Sequence, residues 1–221
     1  MMNPSDESYR RTRLVKQGAA AMPPLFRALA EWIAAHYSSP VPLNIVFDSN
    51  EPLHGPRLDV IFERKRDADS FMTERTISYD PAKQAAIKAR FLELLDESGD
   101  TIAGAERLFV IFSAFEPAAR REANSQMTPE RIEEVEKSLS STVIWKIRPG
   151  FGTAIIFFHT EAQLKMTEDS DFRERCRDAY MAVLGRFDEF GYFRANPIGF
   201  AFDSKENFDA KYQGSWFAYD R

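Results

Sequence analysis

The strongest constraint on how this chain can fold is a pair of strand-like runs. TVIWKIR (142–148) and TAIIFFH (153–159) are separated only by Pro149-Gly150-Phe151-Gly152. A connection that short cannot carry a crossover, so the two strands must pair antiparallel. Any sheet that holds them is therefore not all parallel. An earlier pair, LNIVFD (43–48) and RLDVIFER (57–64), flanks a loop with two prolines and a glycine and reads as a second hairpin. In its second run Leu58, Val60 and Phe62 share one face, and Asp59, Ile61 and Glu63 the other.

Helical signals fill the intervals. Pro23-Pro24 opens a helix to about Tyr37, with Leu25, Leu29, Trp32, Ile33 and Tyr37 at three-and-four spacing. Asp80-Pro81 is an N-cap with proline in the first turn. The helix it opens runs to about Glu97 and is ended by Gly99. Thr128-Pro129 caps a helix to about Leu139, and Thr160-x-x-Gln163 is a capping box. A long helix over about 170–190 carries Phe172, Cys176, Tyr180, Val183, Leu184 and Phe187 in one stripe. RLFVIFSAF (107–115) is nearly continuously apolar and reads as a central strand covered on both faces. IGFAFD (198–203) reads as a strand, 204–212 as a short helix and 215–219 as a last strand; 117–127 gives no clear pattern.

That tally, with no Pro/Ser-rich linker, predicts one α+β domain over 22–221. Its core is a mostly antiparallel mixed sheet of about five to seven strands with helices packed on it. Residues 1–21, with Arg10, Arg11, Arg13 and Lys16 against Asp6 and Glu7, read as a basic, solvated lead-in. One short match recurs. Val46-Phe47-Asp48-Ser49-Asn50-Glu51 agrees with Ala201-Phe202-Asp203-Ser204-Lys205-Glu206 at four of six positions. A strand ending in Asp-Ser is a common turn or cap, which accounts for the match without a duplicated functional half.

Charge and cysteine usage narrow the function. With 29 basic and 34 acidic side chains the net charge is −5, which disfavours nucleic acid and other polyanions as partners. The lone Cys176 sits in the stripe of the long helix, where it reads as core; one cysteine forms neither an intrachain disulfide nor a Cys₂ zinc site. A polar N-terminal segment and apolar runs far short of a membrane span give the expectation of a cytoplasmic, non-membrane protein.

Catalytic signatures are sparse. His36, His54 and His159 share no metal-ligand spacing. Gly150-Phe151-Gly152 is the only G-x-G and joins a hairpin, and neither G-x-x-x-x-G-K nor G-x-S-x-G occurs. The sequence thus predicts no cofactor, no metal and no catalytic residue. One alternative is a metal-dependent phosphodiesterase. Asp48 ends one strand, and Glu63-Arg64-Lys65 ends the next. Over fewer than 20 residues this resembles the core of the PD-(D/E)xK nucleases, without their proline before the first acid. The resemblance implies that Asp48 and Glu63 hold a metal and Lys65 meets the phosphate. A hairpin over 43–64 would instead set Asp48 and Glu63 at opposite ends.

Aromatics crowd the last 35 residues. The reading they favour, with the negative charge, is a non-catalytic binding protein. It would be an acidic inhibitor or immunity-type protein that masks a basic protein partner. The expected partner-binding residues are Asp203, Glu206, Tyr212, Trp216 and Tyr219, with charge for approach and rings for anchorage.

Overall fold

The computed structural model describes residues 2–49, 55–73, 78–150, 152–168 and 170–221. Contacts divide the chain into two compact units, Met1–Ala118 and Ala119–Arg221.

The first unit runs α1 (Glu7–Lys16), α2 (Pro24–Tyr37), β1 (Asn44–Asp48), β2 (Arg57–Phe62), α3 (Lys65–Asp69), α4 (Pro81–Ser98) and β3 (Phe109–Ala114), then enters α5 (Phe115–Ser125). Its sheet has the order β1-β2-β3. The β1–β2 hairpin is antiparallel, whereas β3 lies parallel to β2. Parallel neighbours need a crossover, which α3 and α4 supply. The start of α4 is fixed by Asp80, whose carboxylate accepts the N–H groups of Ala82 and Lys83, and its end by Gly99 at φ +71°. One face of the sheet, with Ile45, Leu58, Val60, Phe62, Val110 and Phe112, packs on Leu29 and Ile33 of α2 and Ile87 and Phe91 of α4. Each large side chain buried there contributes about 1.5–3 kcal/mol.

The second unit runs α6 (Pro129–Leu139), β4 (Ile144–Arg148), β5 (Thr153–Phe158), α7 (Glu161–Met166), α8 (Phe172–Leu184), α9 (Tyr192–Ala195), β6 (Gly199–Ser204), α10 (Lys205–Tyr212) and α11 (Trp216–Tyr219). Here β4 and β5 form the expected antiparallel hairpin, with a bulge between Ile144 and Lys146, and β6 is parallel to β5. Ile147, Ala154 and Ile156 pack on Ile132 and Val135 of α6 and on Cys176, Tyr180 and Val183 of α8. The stripe expected on the long helix thus faces the core.

The two units repeat one topology. Each is helix, antiparallel hairpin, short helix, long helix, parallel third strand, helix: α2-β1-β2-α3-α4-β3-α5 and α6-β4-β5-α7-α8-β6-α10. Aligning β2 with β5 at their ends makes Phe62 equivalent to Phe158, Asp59 to Ile155 and Val46 to Arg148. Phe112 is then equivalent to Phe202 and Glu116 to Glu206. Both glutamates reach the turn that follows the central strand: Glu116 pairs with Arg64 at 3.0 Å, and Glu206 accepts the N–H of Glu161 at 2.7 Å. The short match of 46–51 with 201–206 sets β1 against β6, which are not equivalent, and its positions 50 and 51 lie outside the described residues, as do His54 and Phe151.

Several expectations are corrected. Two three-stranded sheets replace one sheet of five to seven strands, and each has one antiparallel and one parallel pair, so neither is mostly antiparallel. The run 107–115 supplies an edge strand, β3, with Phe109 47 % exposed; the central strand is β2. Residues 117–127, without pattern in the sequence, lie mostly in α5, and 216–219 form a helix where a strand was expected. The lead-in also folds. Tyr9 of α1 is buried and stacks on Phe115 at 5.0 Å, and the Thr12 hydroxyl accepts a hydrogen bond from Asn44.

Cys176 is buried, and burial pushes its thiol up to about 11. Folded protein should therefore react with a thiol reagent only at the rate of opening. Stoichiometric labelling of native protein within minutes would contradict this packing.

Candidate functional site

The C-terminal segment is an aromatic cluster laid over one end of the second sheet. Ser215 caps α11 by accepting the N–H of Ala218, and a helix puts residues three apart on one side. Trp216 and Tyr219 therefore point the same way, into the unit. Trp216 lies parallel to Trp145 at 6.0 Å and 4.1 Å from Phe208, while Tyr219 lies 5.3 Å from Phe157. The Tyr219 hydroxyl donates to Asp203 at 2.7 Å; burial and this carboxylate both hold the phenol above its ordinary range. Asp203 also accepts from the Asn207 amide at 2.8 Å. Arg148 clamps Asp220 through two bonds of 2.5 and 2.6 Å, and its guanidinium lies 4.7 Å above the Trp216 ring. Tyr212 meets Tyr219 at 4.8 Å.

The five residues expected to bind a partner are thus brought into one unit. Asp203, Tyr212, Trp216 and Tyr219 are half-buried, and Glu206 is exposed. The ring that α11 turns outward is Phe217, 70 % exposed, with the Arg221 guanidinium 4.0 Å from its centroid. Strand alternation had put Phe217 beside Tyr219; the Ser215 cap and the Trp216/Tyr219 spacing were the signals of a helix.

A second feature lies on the opposite face of the first sheet from its core. There α1 covers only part of the sheet, and a cavity of about 1000 Å³ remains, with Val46, Asp59 and Ile111 side by side in its wall. Asp59 occupies the middle of the central strand and is buried. Ser113 hydrogen-bonds its carboxylate, but Oδ1 has no partner. Burial pushes its carboxyl up to about 7, against the opposing pull of Ser113 and Arg57. Alternation placed Asp59 on the polar side of its strand; the cover that α1 gives that side has no signature in the strand itself.

The residues of the nuclease-like pattern do not converge. Asp48 pairs in register with Arg57, at the far end of the hairpin from Glu63. Glu63 is 2.9 Å from Lys16, and Lys65 binds Asp69. Among the described residues no three His, Cys, Asp or Glu side chains are grouped to hold a metal ion. No helix among them is long and apolar enough to cross a membrane. Compared with known proteins, the chain matches no family model, no curated protein and no solved structure.

Two expectations follow. Trp216→Ala should destabilise the second unit by about 2 kcal/mol, below the 3–5 kcal/mol of a fully buried ring, whereas Phe217→Ala should leave stability within about 0.5 kcal/mol; urea titrations separate them. Asp59 retains its proton in the folded state up to about pH 7 but loses it near pH 4 when unfolded. Folded protein therefore binds more protons over that window, and stability falls as pH rises from about 4 to 7. Asp59→Asn should remove this slope. An unchanged slope in the variant would mean that Asp59 titrates normally.

Proposed function

We propose that this protein is a non-catalytic binding protein of the acidic inhibitor type, which engages a basic protein partner through α10 and α11. The observation that carries the reading is Phe217, a large ring presented to solvent from a helix whose other side is locked by Trp216 and Tyr219. An anchor held this way loses little conformational freedom on binding. Glu206 is exposed on α10, Tyr212 and Trp216 offer partial ring faces, and Asp203 positions Tyr219. The net charge of −5 favours the approach of a basic surface.

The test uses the full chain as bait in a lysate of its own source cell, followed by native mass spectrometry. One basic protein at fixed stoichiometry is expected. Its affinity should drop about tenfold or more, some 1.4 kcal/mol, with Phe217→Ala. Glu206→Lys should lower the association rate and weaken its salt dependence. A partner indifferent to both substitutions, or an acidic one, would overturn the reading.

A further inference from the structure

We infer that the free edge of β6 is a docking site for an extended, acidic peptide segment of another protein, which adds a fourth strand to the second sheet. This does not rest on the partner proposed for α10 and α11.

The pairing with β5 fixes where the backbone groups of β6 point. In a strand the N–H and C=O of one residue lie on the same side, and successive residues alternate. Gly199 donates its N–H to Gly152 at 2.8 Å, so Gly199, Ala201 and Asp203 bond to β5, while Phe200 and Phe202 direct their N–H and C=O groups away from it. The edge strand of the first unit, β3, has the same geometry. Phe109 donates to Pro56 at 2.9 Å, and Val110 and Phe112 face outward.

The first unit closes this edge. Gln84 of α4 donates its amide to the Val110 carbonyl, and Tyr79, in the link between α3 and α4, lies 6.1 Å from Phe109 and 5.7 Å from Phe112. Val110 and Phe112 are buried as a result. The second unit lacks both devices. Matching the buried stripes Ile87-Phe91-Leu94-Leu95 and Cys176-Tyr180-Val183-Leu184 makes Arg173 the counterpart of Gln84. Arg173 is turned elsewhere, donating to the Thr167 hydroxyl and the Leu164 carbonyl at 3.2 Å each. The link between α7 and α8, 167–171, is shorter than its counterpart 70–80. Among the described residues nothing hydrogen-bonds the outward groups of Phe200 and Phe202, and Gly199 and Ala201 beside them are exposed. Such an edge is a template for a further strand.

Charge selects the occupant. The exposed Arg177 has its guanidinium 5.4 Å from the Phe202 ring and has no ion pair among the described residues; that of Arg173 lies 4.9 Å from the same ring. Side chains of an added strand that point toward α8 meet these two cations, so carboxylates suit them. The alternate side chains lie beside Ala201 and its neighbour in register, Ile155, where apolar residues fit. A second copy docked edge to edge would instead set Arg173 and Arg177 against themselves, a like-charge arrangement that disfavours it.

The experiment titrates the full isotope-labelled chain with acetyl-Val-Glu-Val-Glu-Val-amide, with its lysine counterpart and with a fully N-methylated form of the glutamate peptide, and follows backbone amide exchange. In the free protein the Phe200 and Phe202 amides should exchange faster than that of Ala201, which is bonded to β5. The glutamate peptide should slow both by about tenfold or more. The lysine peptide should bind about tenfold more weakly, and the N-methylated form, which has no N–H to donate, should not bind. Arg177→Glu, at an exposed position, should leave the fold intact and reverse the preference between the glutamate and lysine peptides. Slow exchange of Phe200 and Phe202 in the free protein, no protection by the glutamate peptide, equal binding of the N-methylated form, or an unchanged preference in Arg177→Glu would overturn the inference. Protection that grows with protein concentration alone would overturn it in favour of a second copy.

Discussion

Each unit depends on one parallel pairing, β2 with β3 or β5 with β6. A parallel neighbour can be reached only by crossing over the sheet, and the crossing helix must bury an apolar stripe against the face it passes. That single requirement places α4 over the first sheet and α8 over the second, and it brings α2 and α6 in as their neighbours on the same side. Right-handedness of the crossover leaves no freedom about which face is covered. The other face is left to whatever the flanking chain provides.

The two units answer that need differently. In the first, α1 brings Tyr9 and Thr12 over part of the face and leaves Asp59 below a cavity. In the second, α11 brings Trp216 and Tyr219 down onto Trp145, Phe157 and Phe208. The Arg148–Asp220 pair is half-exposed and adds about 1 kcal/mol at most; the rings do more. Asp59 carries the opposite balance, because an ionised carboxylate in that position loses several kcal/mol of solvation. Holding its proton is the cheaper state. One topology thus supports a back face covered by a helix that precedes its sheet and one covered by a helix that follows it.

Where local chemistry decides structure, the sequence was legible. The four-residue loop at Pro149 imposed the β4–β5 hairpin, Asp80 and Gly99 bounded α4, and the stripe from Phe172 to Leu184 marked the buried side of α8. What escaped was set at longer range. The nearly continuous apolar run of β3 reads as central whether one neighbour or two pair with it. Four residues, Trp216 to Tyr219, are too few to show a full period, so their alternation outweighed the Ser215 cap in the sequence reading. The repeated topology is almost invisible in the sequence because equivalent core positions carry different apolar residues, Leu58 against Ala154 and Val60 against Ile156. Of the five residues expected at the surface, the chain's own packing accounts for most of the ring area, and the outward residue, Phe217, lay in the same run but on the other side of a helix.

The clamp between Arg148 and Asp220 has a consequence for the life of the protein in a cell. It ties a helix of one turn to the sheet through the residue that follows the helix, so α11 docks or releases as one piece. Release of α11 would lift Trp216 and Tyr219 away and uncover Trp145, Phe157 and Phe208 together. A patch of three rings beside the β4 edge is a nucleus for self-association. The same few residues that hold α11 in place thus guard the second unit against becoming sticky.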